Sequence, residues 1–166
     1  MIIYDFNFLD FPSPDNGAVS VFMTGCIHNC PGCQNPDLQK HTDNNQTNKE
    51  ILDNIKLFCK RNETNKVVLS GGDSLFPLNL DLTNFLLENL KDFEVCLYTG
   101  YDINYVKSVL KPNTFTYVKC GKFIKELYQE SEKTDDYIKF ASTNQKLYDS
   151  NFNLLSTNGI FNFNKE

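Results

Sequence analysis

Val19-Ser-Val-Phe-Met-Thr24-Gly25-Cys26-Ile-His28-Asn-Cys30-Pro31-Gly32-Cys33 is the stretch from which the rest of the chain is read. Its first part is an apolar run of strand type, with the confident strand spanning residues 18–24. Gly25 allows a tight turn at the strand's end, and the chain then presents three cysteines in one short loop, spaced C-x3-C-x2-C. A loop of this size wraps soft metal ions while its backbone amides point inward at the sulfurs. It supplies three ligands, whereas a closed structural site takes four, so one coordination position is left for a substrate or cofactor. The other cysteines, Cys59, Cys96 and Cys120, stand singly and form no second C-x2-C pair. Two blander readings remain beside a cluster: a zinc site completed by His28 or His41, and cysteines buried as small hydrophobes.

Composition bounds what such a site can serve. The chain has 166 residues, 40% hydrophobic and 13% aromatic, which suits one folded domain over residues 1–166. A net charge of -5 with no basic stripe argues against nucleic acid as a partner. No segment is apolar for long enough to span a membrane, and Met1-Ile-Ile-Tyr-Asp5 does not open a signal peptide, so a cytoplasmic location is expected. Thiols stay reduced there, which favours metal ligation over disulfides.

Outward from the cysteine loop the chain alternates strands with helices. Residues 1–16, broken by Pro12 and Pro14, read as a short strand or arm followed by a turn. Thr47 and Glu50 form a capping box for a helix over 48–60, with Cys59 on or beside its apolar stripe and assigned to the core. Lys66 to Ser70 suits a buried parallel strand leading into Gly71-Gly72-Asp73. Helix 80–90, strand 94–99, helix 102–110 and strand 114–120 follow, and 136–141 looks strand-like. The segment 123–128 reads as helix or loop. Asn158-Gly159, flanked by 152–156 and 160–163, signals a C-terminal β-hairpin. The predicted class is α/β with a mostly parallel sheet, either open or an incomplete (β/α) barrel.

In such sheets ligands sit at the carboxyl ends of the strands, where both the cysteine loop and Gly71-Gly72-Asp73 leave. The glycines let the backbone approach a bound molecule closely. Together, the C-x3-C-x2-C loop and Gly71-Gly72-Asp73 some forty residues later resemble radical S-adenosylmethionine enzymes, and Asp73 stands where their Gly-Gly-Glu motif has glutamate. Gly32 before the third cysteine narrows the resemblance to the anaerobic ribonucleotide reductase activating proteins. Ser70-Gly71-Gly72-Asp73, Tyr98-Thr99-Gly100-Tyr101, Gly121-Lys122-Phe123 and Ser142-Thr143-Asn144-Gln145 extend the match, which covers about 17–147. The chain departs from that family at Gln34, where tyrosine is usual, at Cys120, where aspartate is common, and at Lys139-Phe140-Ala141, where Trp-Arg-Gly is typical.

The resemblance implies an incomplete barrel of the radical S-adenosylmethionine type, with Cys26, Cys30 and Cys33 holding a 4Fe-4S cluster whose open iron binds S-adenosylmethionine. Backbone at Gly32, Cys33, Gln34, Gly71 and Gly72 would shape the cofactor pocket, and Asp73 would orient its loop or touch the cofactor's polar end. It further implies reductive cleavage of S-adenosylmethionine, with flavodoxin or ferredoxin as electron donor. The 5'-deoxyadenosyl radical would abstract hydrogen from a glycine in the large subunit of the anaerobic ribonucleotide reductase. An activase for another glycyl-radical enzyme such as pyruvate formate-lyase, a small radical enzyme of other substrate, and a zinc-stabilised binding module are the alternatives. Tyr98 and Tyr101 read equally as pocket or core aromatics, His28 reads as a hydrogen-bonding group, and His41 is expected to face solvent.

Overall fold

The computed structural model describes residues 1–14 and 17–164. Four parallel strands form its centre: β2 (Ala18–Met23), β3 (Lys66–Gly71), β4 (Glu94–Tyr98) and β5 (Tyr117–Cys120). They lie side by side in chain order, joined by α1 (Asn48–Arg61), α2 (Leu80–Asn89) and α3 (Ile103–Val109). Antiparallel strands close both flanks, β1 (Ile2–Asn7) against β2 and β8 (Lys146–Asp149) against β5. Among the described residues β1 and β8, the two outer strands, do not pair with each other, so the six-stranded sheet is open.

Strand periodicity decides what each face does. Val19, Val21, Met23, Val67, Leu69, Val95, Leu97 and Val118 point to one side, where Ile51, Ile55, Leu86 and Val106 of the three helices bury against them. The intervening positions Ser20, Phe22, Val68, Ser70, Cys96, Tyr98 and Lys119 point to the other side. The helices are set by local chemistry. Thr47 Oγ1 accepts from the Glu50 amide at 3.1 Å while Glu50 Oε2 accepts from the Thr47 amide at 2.7 Å, closing the capping box of α1. Asp102 Oδ1 accepts from the Tyr105 amide and caps α3.

The face without helices is covered in two ways. After β1 the N-terminal arm folds back so that Phe11, 1% exposed, packs against Ala18, Val68 and Cys96. A second sheet, β6 (Glu132–Lys133), β7 (Tyr137–Lys139) and β9 (Ile160–Asn162), covers the β5–β8 end through Ile138, Phe140 and Leu147. Lys133 Nζ donates to the Phe11 carbonyl and ties this sheet to the arm.

The short strand or arm expected within 1–16 is the strand β1, while Asp15 and Asn16 lie outside the described residues. The segment 123–128 holds only a single 3-10 turn at Lys125–Leu127. The expected 152–163 hairpin is corrected: Asn158 (φ 51°) and Gly159 (φ 72°) do make the tight turn, with paired Thr157–Ile160 hydrogen bonds, but its arms separate. Leu154 and Leu155 bridge to β8, whereas β9 pairs with β7. An isolated two-stranded hairpin is marginal in water, and each arm buries more by joining an existing strand. In β9, Phe161 packs on the Ile138–Phe140–Leu147 cluster.

Candidate metal and cofactor site

The cysteine loop leaves the carboxyl end of β2 and is clamped by backbone bonds from Gly25 to the Leu38 carbonyl (2.8 Å) and from Cys26 to the Gln39 carbonyl (2.9 Å). Within it Cys30-Pro31-Gly32-Cys33 is a β-turn closed by the Cys33 amide on the Cys30 carbonyl at 3.1 Å. Proline presets φ at the second position, and Gly32 takes φ 76° at the third, the requirement of a type II turn. That turn brings Cys30 and Cys33 to the same side.

All three loop thiols are free, half-buried and line one cleft of about 350 Å³. Burial pushes the Cys26 and Cys30 thiols above the ordinary value, and the neighbouring thiols add repulsion. Opposing this, the His28 amide donates to Cys26 Sγ at 3.5 Å, and the Phe123 amide and the Lys122 charge favour the Cys30 thiolate. Free sulfurs gathered on one cleft and met by backbone N–H groups fit an iron–sulfur cluster with Cys26, Cys30 and Cys33 as ligands. The remaining cysteines are of a different kind. Cys59 is pushed up to about 11 and Cys120 to about 12 by burial, and Cys96 is raised as well. Each sits in the core as a small hydrophobe, Cys59 as expected.

Gly71 and Gly72 line the same cleft at the carboxyl end of β3, as does Gln34. Gly71 holds φ 115°, and a Cβ there would stand 2.3 Å from the Met23 backbone of β2, so no side chain fits. Gly32 lies to the side under Phe123, with 3.4 Å from a notional Cβ to that ring. Asp73 does not line the cleft: its side chain is fully buried behind the loop. Its carboxylate accepts from Thr99 Oγ1 at 2.8 and 2.9 Å, from the Gly100 amide at 2.9 Å, from the Leu75 amide at 2.9 Å and from His28 Nε2 at 2.8 Å. A carboxylate only accepts, so Nε2 carries the hydrogen.

Ligand atoms of Cys26, His28 and Asp73 lie within 4.8 Å of one another, the one such grouping among the described residues. The carboxylate is already filled by five donor contacts, so this grouping is a hydrogen-bonded network. His41, expected in solvent, is half-buried with its ring 5.9 Å from that of Phe76.

Tyr98, read from the sequence as pocket or core, lines the cleft's far wall together with two residues not expected there, Lys119 and Asp10. Lys119, half-buried on the helix-free face of β5, lays its ammonium 3.8 Å from the Tyr98 ring centroid and 5.3 Å from that of Phe140. Desolvation lowers this amine to about 8. Tyr98 donates its hydroxyl to the Asp10 carbonyl, and the Asp10 carboxylate is held by Asn7 and Ser20. The period-2 alternation of β5 could have placed Lys119 on this face; nothing local pointed to Asp10. Tyr101 instead packs edge-on against His28 at 4.5 Å and stacks on Tyr105 at 3.7 Å. No described helix is long and apolar enough to cross a membrane.

A family model described as a 4Fe-4S single cluster domain matches residues 16–148. Curated relatives include the anaerobic ribonucleoside-triphosphate reductase-activating protein of Vibrio cholerae, 31% identical over 116 residues that cover 64% of this chain and 74% of the relative. The protein of the same name from Enterobacteria phage T4 is 24% identical over 122 residues, covering 71% and 78%. That of Pasteurella multocida is 26% identical over 152 residues, covering 84% and 91%. No solved structure matches the chain.

Proposed function

The chain belongs to the anaerobic ribonucleoside-triphosphate reductase-activating proteins and carries their 4Fe-4S single cluster domain, and from that premise we propose that it is a radical S-adenosylmethionine activase of the reductase. The observation that carries the reading is the convergence of three reduced thiols and the bare Gly71-Gly72 backbone on one cleft at the carboxyl ends of parallel strands. Four parallel strands in chain order with their helices on one face are what a part of a (β/α) barrel would present, which supports the incomplete-barrel reading.

Cys26, Cys30 and Cys33 would hold the cluster, and Cys33, Gln34, Gly71 and Gly72, which line the same cleft, would shape the S-adenosylmethionine pocket, with Gly32 at its side setting the turn between two of the thiols. Bound there, the cluster would supply the electron that cleaves S-adenosylmethionine, and the radical released would take hydrogen from a glycine Cα of the reductase's large subunit. This chain's own part is position and exclusion of water. Gly71 and Gly72 present backbone without side chains to the methionyl end, their loop pinned by the Gly72 amide on the Met23 carbonyl at 2.8 Å; Asp73 holds the loop from behind, and Asp10 of the N-terminal arm lines the cleft. Lys119 presents a cation to the cleft, suited to an anionic ligand group. A cytoplasmic flavodoxin or ferredoxin delivers the electron.

Anaerobic reconstitution tests the reading. Wild type and Cys59→Ala should bind iron and sulfide and release 5'-deoxyadenosine from S-adenosylmethionine under reductant, whereas Cys30→Ala should not. A glycyl doublet in electron paramagnetic resonance after mixing with the reductase identifies the partner. Colourless protein that holds zinc, or equal 5'-deoxyadenosine release from wild type and Cys30→Ala, would refute it.

A further inference from the structure

His28 stands midway between Cys26 and Cys30 and is fixed on three sides by elements other than its own loop. Its Nε2 donates to Asp73 at 2.8 Å. Its ring lies so close to Gly100 that a Cβ there would come within 2.4 Å of Cδ2. Tyr101 meets the ring edge-on at 4.5 Å and is braced in turn by Tyr105. Asp73 cannot move to follow a loose imidazole, because Thr99, Gly100 and Leu75 hold the same carboxylate from the ends of β3 and β4. The His28 side chain, 11% exposed, is therefore a strut from the middle of the cysteine loop to the sheet.

What the strut holds in place is the residue's own amide. The His28 N–H points at Cys26 Sγ at 3.5 Å, and the next residue, Asn29, takes φ 48° to turn the chain toward Cys30. An N–H aimed at a ligating sulfur stabilises the more reduced, more negative cluster and so raises its reduction potential. We propose that His28 is a positioning residue: by anchoring to Asp73 against Gly100 it holds its own amide on Cys26 Sγ and sets the cluster's potential, without ligating metal itself. This rests on the reading of Cys26, Cys30 and Cys33 as cluster ligands.

The test compares wild type, His28→Ala and His28→Gln, whose side-chain amide keeps a donor for Asp73. Two quantities are read: hydrogen exchange of the 27–29 amides in iron-free protein, and the midpoint potential of the reconstituted cluster beside its iron content. In His28→Ala the amides should exchange at least about tenfold faster, the factor for losing one charge-assisted hydrogen bond. Its cluster should titrate at a more negative potential with iron content unchanged, and His28→Gln should restore much of both. Unchanged exchange in His28→Ala overturns the strut. A potential equal to wild type, or an equal shift in both variants, overturns the tuning. Should His28→Ala load no iron, the His28→Gln potential and the exchange rates still decide. Failure of wild type to bind iron would instead sink the cluster reading, while the exchange measurement would still judge the strut.

Discussion

Asp73→Asn probes the junction on which both the fold and the cleft depend. The buried carboxylate takes five donor contacts, from His28, Thr99 (to both oxygens), Gly100 and Leu75. An amide must turn its NH₂ toward some of these donors. Turned to the Oδ1 side it faces the Leu75 N–H; turned to the Oδ2 side it faces both Gly100 and His28, so the first orientation wins. One buried donor is then orphaned, at about 1–3 kcal/mol, and the surviving bonds lose charge assistance, at roughly 1 kcal/mol each. Removing a buried charge returns part of this, because a neutral amide is easier to desolvate. The net cost is about 2–4 kcal/mol, a large share of the roughly 5–15 kcal/mol that stabilises a domain. With a urea slope of about 2 kcal/mol per molar, the midpoint of iron-free protein should fall by about 1–2 M. A fall below about 0.3 M with the slope unchanged would refute the claim that Asp73 joins β3, β4 and the cysteine loop.

Three further outcomes follow from the same structure. Phe11→Ala empties the centre of the helix-free face and should cost about 3–5 kcal/mol in urea unfolding, whereas Leu78→Ala, at a side chain 67% exposed, should stay within about 0.5 kcal/mol. A brief iodoacetamide pulse on iron-free protein should label Cys26, Cys30 and Cys33 and leave Cys59, Cys96 and Cys120 untouched, read by mass spectrometry of peptides; comparable labelling of Cys59 would contradict its burial. Lys119 titrates at about 8 in the fold against an ordinary 10.5. Between those values the unfolded chain holds more protons, so this group's contribution to stability rises with pH. Buried thiols raised above 9.0 act in the opposite sense at higher pH, so the Lys119 effect is read as the difference between wild type and Lys119→Met. From pH 7 to pH 9 that difference should move by about 1 kcal/mol in favour of wild type; a flat difference removes the desolvated amine.

What the sequence disclosed was whatever is encoded within a few residues. The capping box of Thr47 and Glu50, the turn at Gly25 and the apolar strand-type run beginning at Val19 each follow from contacts at short separation, and each element lies where those signals put it. The same holds for the parallel order of β2 to β5, since a strand followed by a helix that must pack back on it has few choices. Strand β8 carries no such local signal: its four residues offer one buried pair, Leu147 and Tyr148, and become a strand only by pairing with β5. The C-terminal hairpin misled for a related reason: Asn158-Gly159 specifies a turn, but a turn says nothing about which strands its arms will join. There long-range burial of Phe161 and Phe163 decided the pairing.

The candidate site divides along the same line. Cysteine spacing and paired glycines are local, so the three thiols and the Gly71-Gly72 backbone could be named before any coordinates. Asp73 belongs to the same local motif, but the partners that hold its carboxylate sit 26 and 45 residues away and leave no local signal. A carboxylate that gathers a loop residue, a strand end and two backbone amides ties those elements together. The consequence concerns how such chains tolerate change. Substitutions at Thr99 or Gly100, neither of which touches a thiol, should loosen the cysteine loop through Asp73 and His28. The residues that set the loop's geometry therefore extend well past the spacing that first identifies it.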